Sequence, residues 1–141
     1  MRKLAVAMSL LSFFGLARSA DFAEGQVWSY KTRIGEEGST VLINKIESDP
    51  RLGPIFHISI TGVKVKNPRS TSGVTTELPH SPVSKKTLDD SVTKLVAKSK
   101  PNPQYLEGYK EWKSAFDNGD AGIFTIPVQE IVGVIEKAVN Q

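Results

Sequence analysis

Cysteine is absent from this chain of 141 residues. Without it the protein can form no disulfide and no thiolate metal site, and it has no sulfur to carry a lipid at a processing point. Histidine occurs only twice, as His57 and His80. No Asn-x-Ser/Thr sequon is present, and neither is a nucleophile elbow, a glycine-rich phosphate loop or a metal-ligand motif. The apolar run Leu4 to Ala17 is only 14 residues long and is interrupted by Ser9, Ser12 and Gly15. A stable membrane-spanning helix takes ~20 mostly apolar residues, so the run predicts no membrane anchor.

What that run does fit is an export signal. Arg2 and Lys3 precede it, it carries no charge, and the small residues Ala17 and Ser19 stand at −3 and −1 for a cut after Ser19. A cut after Ala20 would place Arg18 at −3. The expectation is a signal peptide over residues 1–20, cut after Ser19 or Ala20, and a single mature domain over residues 21–141, periplasmic or secreted. Three of the eighteen basic residues, Arg2, Lys3 and Arg18, leave with the signal, so fifteen basic residues then face fifteen acidic ones. The formal charge of +3 therefore belongs to the precursor. A neutral mature chain predicts no nucleic-acid partner and no polybasic membrane patch. About 120 residues suffice for one core without covalent staples.

The first half of the mature chain reads as strand. Gln26 to Arg33 alternates, with Trp28, Tyr30 and Thr32 on one side. Gly35-Glu36-Glu37-Gly38 reads as a turn and Thr40 to Ile46 as the partner strand. After breaks at Asp49-Pro50 and Gly53-Pro54, the next strand places Phe56, Ile58 and Ile60 opposite His57, Ser59 and Thr61, with a bulge expected at Gly62. Asn67 to Ser84, with three prolines, reads as a long loop around a short strand, Val74 to Leu78.

The second half changes period to 3.6. Ser84 caps a helix predicted to run from Lys85 to about Ser99, with Leu88, Val92, Leu95 and Val96 on its inner stripe and Asp89 and Asp90 near its positive end. Asn102-Pro103 opens a second helix that closes at Asn118-Gly119, with the stripe Tyr105, Tyr109, Trp112 and Phe116. Ala121 to Ile126 reads as a short strand. Pro127 begins a last helix with Val128, Ile131, Val132, Ile135 and Val139 turned inward. The fold class is α+β: an antiparallel, strongly curved or barrel-like sheet of about 4–5 strands followed by three helices.

The sequence resembles a group of small uncharacterised bacterial proteins through Gly25-Gln26-Val27-Trp28-Ser29-Tyr30-Lys31-Thr32-Arg33 and the following Gly35-Glu36-Glu37. The resemblance continues in His57-Ile58-Ser59-Ile60, Gly62-Val63-Lys64-Val65-Lys66-Asn67-Pro68, Gly108-Tyr109-Lys110-Glu111-Trp112 and Ala121-Gly122-Ile123-Phe124-Thr125-Ile126-Pro127. It covers nearly the whole mature chain. It implies one autonomous domain and transfers no catalytic residue.

No catalytic residue, metal ligand or cofactor is assigned from the residues. Ser39, His57 and Glu36 supply the types of a Ser-His-acid arrangement, but such triads are recognised by geometry. His57 is expected on the solvated face of its strand, and His80 in the loop, positioning the following helix. Glu36 and Glu37 are expected as solvated turn residues. Lys64, Lys66 and Arg69 form a small basic cluster. The stripe containing Trp112 fits a core better than a surface, although aromatics dominate both.

The resulting expectation is a protein-binding module, of inhibitor or immunity type, whose partner is another envelope or secreted protein. Its candidate binding residues are Glu36, Glu37, His57, Lys64, Lys66, Arg69, His80 and Trp112. The alternative is a small periplasmic hydrolase built on His57, His80 and nearby carboxylates. Geometry separates the two: an enzyme needs both histidines and a carboxylate in one cleft, whereas a binder would leave them apart on solvated surface.

Overall fold

The structure, a computed structural model, describes residues 22–141. The expected export segment and its cleavage point lie outside the described residues. The elements are β1 (Gln26–Tyr30), β2 (Thr40–Asp49), β3 (Gly53–Lys66), β4 (Val74–Ser84), α1 (Lys85–Ser91), β5 (Val92–Lys98), α2 (Tyr105–Asp117) and α3 (Val128–Val139). The five strands form one antiparallel sheet in the order β4-β3-β2-β1-β5. The class is α+β, and the sheet stays open, ending at β4 and β5 rather than closing into a barrel.

Helices cover both faces of the sheet. On one face Trp28, Tyr30, Val41, Ile43, Phe56, Ile58 and Ile60 pack with Leu88 of α1 and with Val128, Ile131 and Val132 of α3. This is the apolar core, and the inward stripe expected for the last helix supplies three of its fully buried side chains. The opposite face carries His57, Ser59 and Asn44, all buried, and α2 lies across it against β3 and β4. Every residue of β3 from Ile55 to Ile60 is consequently buried.

Two register breaks shape this second face. Ile43 pairs with Ile58 and Lys45 with His57, so Asn44 is the extra residue of a bulge in β2. Another lies between the pairs Ile58–Ser81 and Ile60–Leu78, where β4 inserts an additional residue beside His80. The bulge expected at Gly62 is present, with φ of 86° and a register shift between Thr61 and Val65.

Several expected elements change. The helix from Lys85 stops at Ser91, although Ser84 does cap it by accepting from the Thr87 amide at 3.1 Å. Val92–Lys98 instead pairs with the edge of β1. Ser91 fixes the switch: its hydroxyl accepts from the Val128 amide at 2.9 Å, and its carbonyl accepts from the Lys31 amide at 2.9 Å. Leu95 and Val96 are thus 42% and 45% exposed, not inward. Asp89 and Asp90 pair one turn back with Lys85 and Lys86 and do not occupy the first turn.

In the expected loop Asn67–Ser84 the short strand expected from Val74 to Leu78 is present and runs on to Ser84 as β4, leaving only a turn ahead of it. Pro79 and Pro82 fit there because β4 is an edge strand, where a missing N–H breaks no ladder. Ala121 to Ile126 forms no strand and contributes a single bridge, Phe124 to Val83. Among the described residues no helix is long and apolar enough to cross a membrane.

Candidate functional site

Glu47, His57 and His80 lie on the adjacent strands β2, β3 and β4, and the two bulges bring them together beneath α2. The Nε2 of His57 lies 2.7 Å from Glu47 Oε1, and its Nδ1 lies 2.9 Å from His80 Nε2. A carboxylate only accepts, so His57 donates from Nε2 and its Nδ1 keeps a lone pair. His80 must then donate from Nε2, which leaves its own Nδ1 as the lone pair. The three groups form one directed chain, from His80 through His57 to Glu47.

Aromatic residues of α2 form the roof. Tyr109 and Trp112 meet the His57 ring edge-on at centroid distances of 4.7 and 4.9 Å. Tyr105 is buried, and Trp112 stacks on Phe116 at 4.6 Å. The helix can approach this closely because residue 108 is glycine, since a Cβ there would stand 3.0 Å from His80 Cβ and 3.4 Å from its Nδ1. Trp112 also donates from Nε1 to the Gly122 carbonyl at 2.8 Å. Ahead of α2, Asn102 is tied to the sheet: its amide donates to Asn44 Oδ1 at 2.8 Å and its Nδ2 to Glu77 at 3.0 Å.

This environment keeps both imidazoles neutral. Burial pushes His80 down to about 4, helped by the neighbouring His57. Burial also lowers His57, against the opposing pull of Glu47. Burial and the Glu47 carboxylate raise Tyr109 to about 12. Lys45 lies over the Tyr109 ring at 5.6 Å, and Lys113 reaches Glu47 at 4.0 Å. Among the described residues no three of His, Asp and Glu are placed to hold a metal ion.

A second constellation lies at the β1–β2 loop. Glu36 is buried, not solvated as expected from its turn. Arg33 donates to both of its oxygens, at 2.9 and 2.7 Å, and also to Glu136 of α3 at 2.9 Å. The Lys64 amide completes the carboxylate at 2.6 Å, and the Lys66 amide serves Glu136 at 2.8 Å. Above this clamp Ile34 and Gly35 form the corner of a tight turn. The Glu36 amide donates back to the Arg33 carbonyl at 3.1 Å, Gly35 has φ of 89°, and the Gly35 amide donates to Glu37 at 2.9 Å. The Ile34 side chain is 100% exposed.

The residues singled out in sequence therefore divide. His57, His80 and Trp112 converge, and His57 is fully buried instead of solvated because α2 covers its face. His80 belongs to β4, not to a loop. Glu36, Glu37, Lys64 and Lys66 gather at the other end of β3, with Arg69 in the turn beyond. The conceivable Ser39–His57–Glu36 set does not form, since Ser39 binds Tyr30 and the Thr61 carbonyl while Glu36 binds Arg33. Glu47, Ile34 and Arg33 were not foreseen. The signal for Glu47 was its place two residues past Lys45 on the strand that pairs with His57; for Ile34 it was an aliphatic residue set between Arg33 and a Gly-Glu-Glu-Gly turn.

No protein-family model matches the chain, and no curated protein or solved structure matches it. The site is accordingly read from its own geometry.

Proposed function

We propose that the chain is exported, that its N-terminal signal is removed, and that the remaining domain is a protein-binding module using the β1–β2 loop as its contact. The observation that carries this reading is Ile34, a large aliphatic side chain held wholly in water on a loop locked from beneath. Burying such a side chain in a partner is worth about 1.5–3 kcal/mol. Because Arg33, Glu36 and Gly35 already fix the turn, little ordering is left to oppose association. Exposed Glu37 gives the knob an acidic rim. Ile34 stands at a turn corner, so it would plug a pocket instead of lying extended in a protease cleft. The partner class is another envelope or secreted protein, as expected for an inhibitor or immunity-type module.

The test compares immobilised mature protein with an Ile34→Asp variant, both challenged with the native envelope fraction and culture medium. One protein retained by the first and lost by the second, at equal thermal stability of the two baits, supports the reading. Identical captures from both baits overturn it.

The convergence of Glu47, His57 and His80 favours the second reading, a small hydrolase, because the histidines do not lie apart on solvated surface. His57 itself is fully buried and cannot touch substrate, which leaves half-buried His80 as the group that would. Turnover of chromogenic esters that disappears in His80→Gln would establish it.

A further inference from the structure

Helix α2 is attached differently from the rest of the fold. Only one of its thirteen residues, Tyr105, is buried, and its N-cap residue Gln104 makes no side-chain cap bond. It is held by Tyr109 and Trp112 against His57 and His80, by the Tyr109 hydroxyl and Lys113 at Glu47, and by the tethers at Asn102 and Gly122. An element with few buried apolar contacts belongs to the low-stability end of a protein and can open by itself.

The His57–His80 bond places a limit on charge. It requires one ring to present a lone pair, so it survives a single proton on the pair and not a second. With both rings protonated, two N–H donors would face each other across the present 2.9 Å. The first proton would sit on His80 Nδ1, which faces α2 at Gly108, where a Cβ would stand 3.4 Å from it. The surrounding charges do not absorb the second. From β2 come Glu47 and Lys45, and from α2 comes Lys113, itself paired with Asp117. The last residue of β2 adds the Asp49 carboxylate, and Glu77 of β4 is engaged by Asn102. Both lysines oppose a cationic His57, leaving Glu47 as the one carboxylate in contact with the pair.

We infer that the chain Glu47–His57–His80 is an acid-sensitive latch, which holds α2 on the sheet while the imidazoles are neutral and releases the helix as a unit when both are protonated, with the core between the sheet, α1 and α3 still folded. The direction follows from linkage. His80 is depressed from its ordinary 6.5 to about 4 in the folded state. The opened form therefore binds more protons between those values, and the docked form loses stability as pH falls through that window. Release uncovers the aromatic stripe and the polar face around Asn44 and Ser59, so the domain would present a second surface in acid.

The experiment is amide hydrogen exchange on the full chain, resolved by residue and corrected for the intrinsic effect of pH, between pH 7 and 4. Protection over Tyr105–Asp117 should fall at least about tenfold while that of β3 is maintained. In His80→Gln, which keeps a donor for His57 but takes no proton, the fall should be under about twofold. Unchanged α2 protection at pH 4, simultaneous loss in β3, or the same fall in His80→Gln would each overturn the latch. Should His80→Gln fail to fold, His57→Gln is read in the same way.

Discussion

Arg33 holds Glu36 through two parallel hydrogen bonds, Nε to Oε1 at 2.9 Å and Nη2 to Oε2 at 2.7 Å, with the carboxylate buried and the guanidinium reaching on to Glu136. One side chain thereby joins the β1–β2 loop, the end of β3 and α3. The Ile34 knob is held by this joint, so the rigidity on which the proposed function depends resides in Arg33 and Glu36.

The Arg33 bond, followed by the Lys64 amide, lowers the Glu36 carboxyl below its ordinary 4.5 against the opposing effect of burial. A depressed folded value means stability that is present above 4.5 and lost as pH falls through the folded value. Glu36→Gln should destabilise the domain by about 1.5–3 kcal/mol at pH 7, the usual range for a hydrogen bond to a charged group, since Arg33 retains Glu136. At pH low enough to protonate the wild-type carboxyl the two proteins should converge. Urea unfolding at pH 7 and pH 3 checks both halves. A difference of equal size at both would mean that the charge of Glu36 contributes nothing.

Ser81 offers the opposite sign. It is 1% exposed beside the core, and its Oγ has no hydrogen-bond partner among the described residues. A buried hydroxyl without a partner costs about 1–3 kcal/mol, and alanine removes it with the loss of one atom. Ser81→Ala should therefore stabilise by about 1 kcal/mol, read as a higher urea midpoint with unchanged slope.

Period and punctuation made the sheet legible where one face was decisive. The alternation around Trp28 and Tyr30, and around Phe56, Ile58 and Ile60, identified the core side directly. The same reasoning failed at Val92–Lys98, because Leu88, Val92, Leu95 and Val96 fit a helical stripe and the deciding factor was the unpaired edge of β1, far away in sequence. Prolines made the second part of β4, from Pro79 to Ser84, look like a loop, since their exclusion from strands does not hold at a sheet edge. His57 looked solvated because alternation shows that a residue faces away from the core without showing what covers it. The cover is α2, more than forty residues later. Glu47 could be placed beside His57 only with the Asn44 bulge known, as that bulge sets the register of the upper half of β2.

Gly108 tests the seat of α2 most directly, because two effects of known sign compete there. In an isolated helix Gly→Ala gains about 1 kcal/mol from backbone entropy. At this position the new Cβ would lie 3.0 Å from His80 Cβ, closer than carbons approach without something giving way. His80 cannot readily yield: its Cβ is carried by the β4 backbone, and its ring is held by His57 at 2.9 Å. The helix must lift instead, and a gap of a few tenths of an ångström already forfeits part of the contact energy of Tyr109 and Trp112. Gly108→Ala should therefore lower α2 protection at pH 7 despite its higher helix propensity, with β3 protection unchanged. If it raises α2 protection by the amount that propensity alone predicts, the helix is not seated against the histidines closely enough for their protonation to matter, and the latch fails with it.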